Sequence, residues 1–110
     1  MGFKDFDIEI QDIRDSDPET FIGNVPTVGV PVVISPTSEK IIQLAFISCN
    51  GTRDPDNSNK INDAIKFSID GGNNWLTLMA GESIYVPGVF DDLRLDTNSN
   101  ETHYQVILWS

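Results

Sequence analysis

A chain of 110 residues has room for one compact core, and with 17 acidic side chains, seven basic ones and one histidine its formal charge is −10. So few lysines and arginines cannot neutralise a run of phosphates, which excludes nucleic acid as a partner. The single Cys49 excludes an internal disulfide framework and a cysteine-based zinc site, and is expected as a buried thiol. No apolar run of 18 residues is present, and the charged stretch Met1 to Ile10 predicts neither a membrane span nor a secretory leader.

In chain order, residues 1–29 stand apart. They hold seven of the acids, from Asp5 to Glu19, against Lys4 and Arg14. Phe6, Ile8 and Ile10 alternate with Asp5, Asp7 and Glu9 at the period of a strand with one apolar face. Phe3, Phe6, Ile10 and Ile13 also fit a helical period, so either conformation is open. After Pro18 the stretch to Gly29, with Gly23, Asn24 and Pro26, has no clear period and is expected as linker. An extended N-terminal arm over 1–29 is therefore predicted, with Phe3, Phe6, Ile8, Ile10 and Ile13 as its partner-binding anchors. Arms of this kind gain affinity by adding a strand to a neighbour's sheet.

From residue 30 to 110 short β-branched and aromatic runs alternate with Gly, Pro, Asn and Asp clusters, predicting one all-β domain. Strands are expected near Val30–Ile34, Ile41–Cys49, Ala64–Ile69, Trp75–Met79, Ser83–Val86, Asp92–Leu95 and Thr102–Trp109. Pro31 confines the first to a sheet edge, because proline cannot donate to a ladder. In the third region, Ala64–Ile69, Ile65, Phe67 and Ile69 should point inward, and Lys66, Ser68 and Asp70 outward. The last strand has Tyr104, Val106 and Leu108 on one face and Ile107 and Trp109 on the other, so it should be central or covered. Seven short strands predict a two-sheet β-sandwich or jelly roll, since one open sheet would leave an apolar face wet.

The sharpest motif is Ser68-Ile-Asp70-Gly71-Gly72-Asn73-Asn74-Trp75. Asp70 can accept backbone N–H bonds across a turn, the glycines supply positive φ, and Trp75 can pack beneath the hairpin. This spacing resembles the Asp box of sialidases, which implies a structural hairpin formed by Ser68, Asp70, Gly71, Gly72 and Trp75 and no activity. A sialidase propeller needs several such boxes and a longer chain.

Catalytic and metal chemistry find little to use. The one histidine, His103, has no evident nucleophile with which to form a triad, so no catalytic residues are assigned and no enzyme is expected. Asp54, Asp56 and Ser58 match the first positions of an EF-hand loop, but Asn59 stands where glycine is required and Ile65 where a glutamate is required. A looser calcium site in the Asn50–Asp63 loop stays open, with no metal or cofactor assigned. Trp75 and Trp109 are the aromatic side chains that could stack on sugars.

Four segments carry a family likeness: Ile41-Ile-Gln-Leu-Ala-Phe-Ile47, Phe67 to Trp75, Leu76-Thr-Leu-Met-Ala-Gly-Glu-Ser83 and Val106-Ile-Leu-Trp109. Together they resemble small bacteriophage virion proteins, namely capsid decoration or cement, head-fibre and tail accessory β-domains. The resemblance covers about two thirds of the chain, from Ser38 onward. It implies a structural protein that binds the major capsid protein or another virion protein as a homo-oligomer, trimer or dimer. Its location would be the virion, assembled in the host cytoplasm, with no nucleic-acid or membrane contact. A tail, baseplate or head-tail position and a carbohydrate-binding module for host attachment are the alternatives.

Overall fold

The computed structural model describes residues 18–52 and 63–110. The proposed anchors Phe3, Phe6, Ile8, Ile10 and Ile13, and the loop residues Asp54, Asp56 and Ser58, lie outside the described residues. Among the described residues eight strands follow one another: β1 Pro18–Val25, β2 Val32–Ile34, β3 Ile42–Gly51, β4 Ala64–Ser68, β5 Leu76–Met79, β6 Ser83–Phe90, β7 Leu93–Thr97 and β8 Thr102–Trp109. No helix occurs among the described residues.

The strands form two antiparallel sheets of four, in the orders β1-β8-β3-β6 and β2-β7-β4-β5. The neighbours nest: first with last, second with seventh, third with sixth, fourth with fifth. Every connection crosses between the sheets except the β4–β5 hairpin, as if one long hairpin had been rolled around a barrel. That winding is the jelly roll, a β-sandwich whose two sheets close over one core.

The period of two along each strand builds that core. Strand β8 buries Thr102, Tyr104, Val106 and Leu108, and β3 buries Ala45, Ile47 and Cys49. From the other sheet, Leu93 and Leu95 of β7 and Ile65 and Phe67 of β4 meet them. Each fully buried aliphatic side chain contributes roughly 1.5–3 kcal/mol relative to exposure. Burial also raises the pKa of the Cys49 thiol and of the Tyr104 phenol above their ordinary values.

Two expectations need correction. Pro18–Val25, expected as linker within a 29-residue arm, is a strand paired along its whole length with β8, from Pro18 opposite Trp109 to Val25 opposite Thr102. The sandwich therefore includes Pro18–Val25 and is not confined to residues 30–110. Gly23, which looked like a turn residue, lies over the ring of Tyr104; a Cβ there would stand 3.0 Å from the phenol oxygen. An edge glycine covered by a cross-strand aromatic is a packing device and not a break in the strand.

The second correction concerns the end of β4. Ile69 was expected inward and Ser68 outward, yet Ser68 is buried and Ile69 is exposed. The strand stops at Ser68, whose hydroxyl is drawn into the following turn. Among the described residues strand β2 is an edge strand, paired only with β7; it starts at Val32, just after Pro31. Strand β8 is central, between β1 and β3.

Candidate functional site

The registers of the β1-β8-β3-β6 sheet define what its outer face presents. One row across the strands is Pro18, Trp109, Leu44 and Pro87. The next is Thr20, Ile107, Phe46 and Tyr85, followed by Ile22, Gln105, Ser48 and Ser83. At one end Asn24 and Gly51 flank His103. None of these positions is Asp, Glu, Lys or Arg.

Apolar side chains dominate the first two rows. The Phe46 and Tyr85 rings lie 4.9 Å apart at an interplanar angle of 56°, and Tyr85 stands 6.5 Å from Trp109. Those spacings are those of tilted aromatic pairs. Tyr85 is 62% exposed and Ile22 68%, while Leu44, Phe46, Ile107 and Trp109 are half-buried. An antiparallel sheet with one face in water normally turns polar side chains outward there. A contiguous apolar face on a soluble surface marks a contact site.

The outer face of the other sheet follows the ordinary pattern. Lys66 of β4 sits opposite Asp96 of β7 on one side and Thr77 of β5 on the other. Arg94 is opposite Val33 and Ser68. Its Nε lies 3.5 Å from a carboxylate oxygen of Asp92, an ion pair that lacks hydrogen-bond geometry, since that Nε has no hydrogen-bond partner. Asp96 accepts the backbone N–H of Gly29 at 2.9 Å and of Thr97 at 2.8 Å.

The Ser68–Trp75 turn brings its motif residues together. Asp70 Oδ1 accepts from the Ser68 hydroxyl at 2.7 Å, from Asn74 N–H at 2.9 Å and from Asn73 N–H at 3.1 Å. Its Oδ2 accepts from the Asn74 side-chain amide at 2.7 Å. These donors, the Ser68 hydroxyl first, hold the Asp70 carboxyl down to about 2. Gly71 and Gly72 adopt φ of 76° and 91°, which the tight turn requires. Trp75 Nε1 donates to Gly72 O at 2.9 Å, pinning the half-buried indole against the turn. The Ser68 hydroxyl, both Asp70 carboxylate oxygens and the Trp75 indole N–H are all engaged within the hairpin, as a structural role requires.

His103 faces outward between Asn24 and Gly51, which supply neither an acid nor a nucleophile. Two open depressions share Asp91 and Asp92, one lined also by Glu39 and Lys40 and the other by Asp70 and Arg94. No cluster of three metal-ligating side chains occurs among the described residues. The buried Asp63 carboxylate accepts Thr52 N–H at 3.0 Å, and the Asp63 carbonyl accepts Ala80 N–H at 2.9 Å. These bonds tie Asp63 to Thr52 and to Ala80. No described helix is long and apolar enough to cross a membrane.

The outer sheet face was only half visible in the sequence. Ile107 and Trp109 stand out in the sequence as a second apolar face of the last strand, whereas Leu44, Phe46, Tyr85 and Ile22 join them only through the registers of three further strands.

The described residues thus form an eight-stranded jelly roll with one uncharged, partly aromatic sheet face. No protein-family model and no curated protein matches its sequence. Among solved structures it is similar to the Yersinia pseudotuberculosis-derived mitogen, with 15% identity over 86% of each chain and a TM-score of 0.46. A likeness that distant carries no argument about function.

Proposed function

We propose that this protein is a structural component of a bacteriophage virion that decorates or cements the capsid through protein–protein contacts. The observation that carries the reading is the uncharged apolar face of the β1-β8-β3-β6 sheet on a chain of net charge −10. Such a face is costly to leave in water and gains by burial against another protein. The family likeness of the segments from Ile41 to Trp109 supplies the virion context, with the major capsid protein or another virion protein as partner. The N-terminal anchors Phe3, Phe6, Ile8, Ile10 and Ile13 extend the contact in this reading. Since β1 belongs to the sandwich, the arm is confined to the residues before Pro18.

Mass spectrometry of purified particles from cells carrying the gene tests the proposal. The chain should co-purify in a copy number comparable to the capsid protein. A copy number of a single ring would favour the tail, baseplate or head-tail position instead, and absence from particles would overturn the virion reading. Full-length Phe6→Asp and Ile8→Asp variants should show weakened particle binding if the arm is an anchor.

One observation favours a second reading. Tyr85 and Trp109 share the outer face with Gln105, Ser48 and Ser83, a combination of rings and hydrogen-bonding groups that suits a sugar. Host-surface carbohydrate would then be the ligand. Titration of tryptophan fluorescence with mono- and oligosaccharides distinguishes it: saturable quenching supports a carbohydrate module, and a flat response removes it.

A further inference from the structure

We propose that the uncharged outer face of the β1-β8-β3-β6 sheet is the contact between two copies of this chain, packed face to face about a two-fold axis. The inference rests on the assembly reading of that face and names its occupant.

Charge is the first argument. Two copies at −10 each repel wherever their acidic surfaces approach, and like charges brought together at a contact cost several kcal/mol. Of the two sheets, only β1-β8-β3-β6 presents an outer face without a carboxylate, since the other turns Asp96 outward. A basic partner would find no acid here to pair with, and an acidic one no base. The face instead fits a surface as apolar and uncharged as itself, which a second copy supplies. A patch that meets its own copy generates a closed two-fold dimer, not an open chain.

Size is the second argument. Four strands spaced about 4.8 Å apart and about eight residues long at roughly 3.4 Å per residue give a face of about 500 Å². Two such faces together bury about 1,000 Å², the lower bound for a specific interface. Twisted sheets packed on one another about 10 Å apart interdigitate side chains of the kind found here, with Trp109, Phe46 and Tyr85 as large anchors and Thr20, Ser48 and Ser83 as small partners. The charged Lys66 and Asp96 of the opposite sheet stay in water in this arrangement.

Sedimentation equilibrium of the full-length chain tests it, together with Tyr85→Arg at the β6 edge of the face, Thr20→Arg at the β1 edge, and Lys66→Glu on the opposite sheet as control. Tyr85, Thr20 and Lys66 are all exposed, so each variant is expected to fold. The unmodified chain and Lys66→Glu should be dimers. Both arginine variants should dissociate about 100-fold more readily, because each places two unpaired charges in the interface. An unmodified chain that stays monomeric up to about 1 mM would overturn the proposal. A dimer that survives both arginine substitutions would also overturn it, placing the contact elsewhere. So would a monomer whose Trp109 is shielded from acrylamide at every concentration, which would assign the face to a segment of the same chain. The two proposals fail separately. A monomer found in purified particles sinks the dimer and keeps the virion role, whereas a dimer absent from particles does the reverse.

Discussion

The two sheets of this sandwich share an interior and part company outside. On β2-β7-β4-β5, Lys66 faces Asp96 and Arg94 lies near Asp92, so charge meets water. On β1-β8-β3-β6, the corresponding rows hold Trp109, Leu44, Ile107, Phe46 and Tyr85 with no charged side chain. The inner faces are required by folding; the outer faces are free to differ, and their difference is the observation on which the proposed assembly contact rests. The contrast is sharpened by the chain's acidity, because an uncharged face is the exception on a molecule with 17 carboxylates.

If the interiors are equivalent, truncating either should cost alike. Leu108→Ala on β8 and Leu95→Ala on β7 each remove a fully buried side chain and should each lower unfolding free energy by about 2–5 kcal/mol in urea titrations. A much smaller loss on one side would break the shared-core picture. A smaller effect is expected at the edge of the uncharged sheet. Gly23→Val would press a side chain onto the Tyr104 ring and should cost about 1–3 kcal/mol by the same titration. Preserved stability would mean that Tyr104 moves aside freely.

On the charged sheet, Lys66→Glu sets like charges opposite Asp96 and should destabilise by about 0.2–1 kcal/mol. Most of that loss should vanish in about 1 M salt, where the screening length is about 3 Å. An effect indifferent to salt would mean that Lys66 acts by packing and not by charge. The smallest effect is local to the β4–β5 turn. Asp70 has its carboxyl held at about 2, below its ordinary value of 3.8. Its contribution to folding is therefore fully present above about pH 4 and is lost as pH falls toward 2. Asp70→Asn should abolish that acid-dependent part and speed amide exchange at Asn73 and Asn74, whose N–H groups Asp70 Oδ1 accepts. Unchanged exchange would show that the glycines alone hold the turn.

Much of this architecture was legible in the residues, for identifiable reasons. The alternation of Tyr104, Val106 and Leu108 with Ile107 and Trp109 points to β8 as central, and an edge position was expected for the strand around Pro31, which in the fold starts only at Val32. Strand β1 was missed because Gly23 and Asn24 carry turn propensity, and a packing use for glycine shows only when Tyr104 lies over it. The inversion at Ser68 and Ile69 arose because a local alternation cannot report where a turn captures a hydroxyl. The outer face was the hardest to foresee: its residues come from four strands separated by up to 91 positions, from Pro18 to Trp109, and only register brings them into rows.

The molecule carries two tryptophans, one at each of the contrasted regions. Trp109 lies on the uncharged face, and Trp75 beside the hairpin of the charged sheet. Acrylamide quenching of two single-tryptophan variants, Trp75→Phe and Trp109→Phe, as chain concentration rises is the most direct measurement of what the uncharged face does. Quenching of Trp109 should fall with concentration while that of Trp75 stays constant. Equal and unchanging quenching of both would mean that the face remains in water and the contrast between the sheets has no role in assembly.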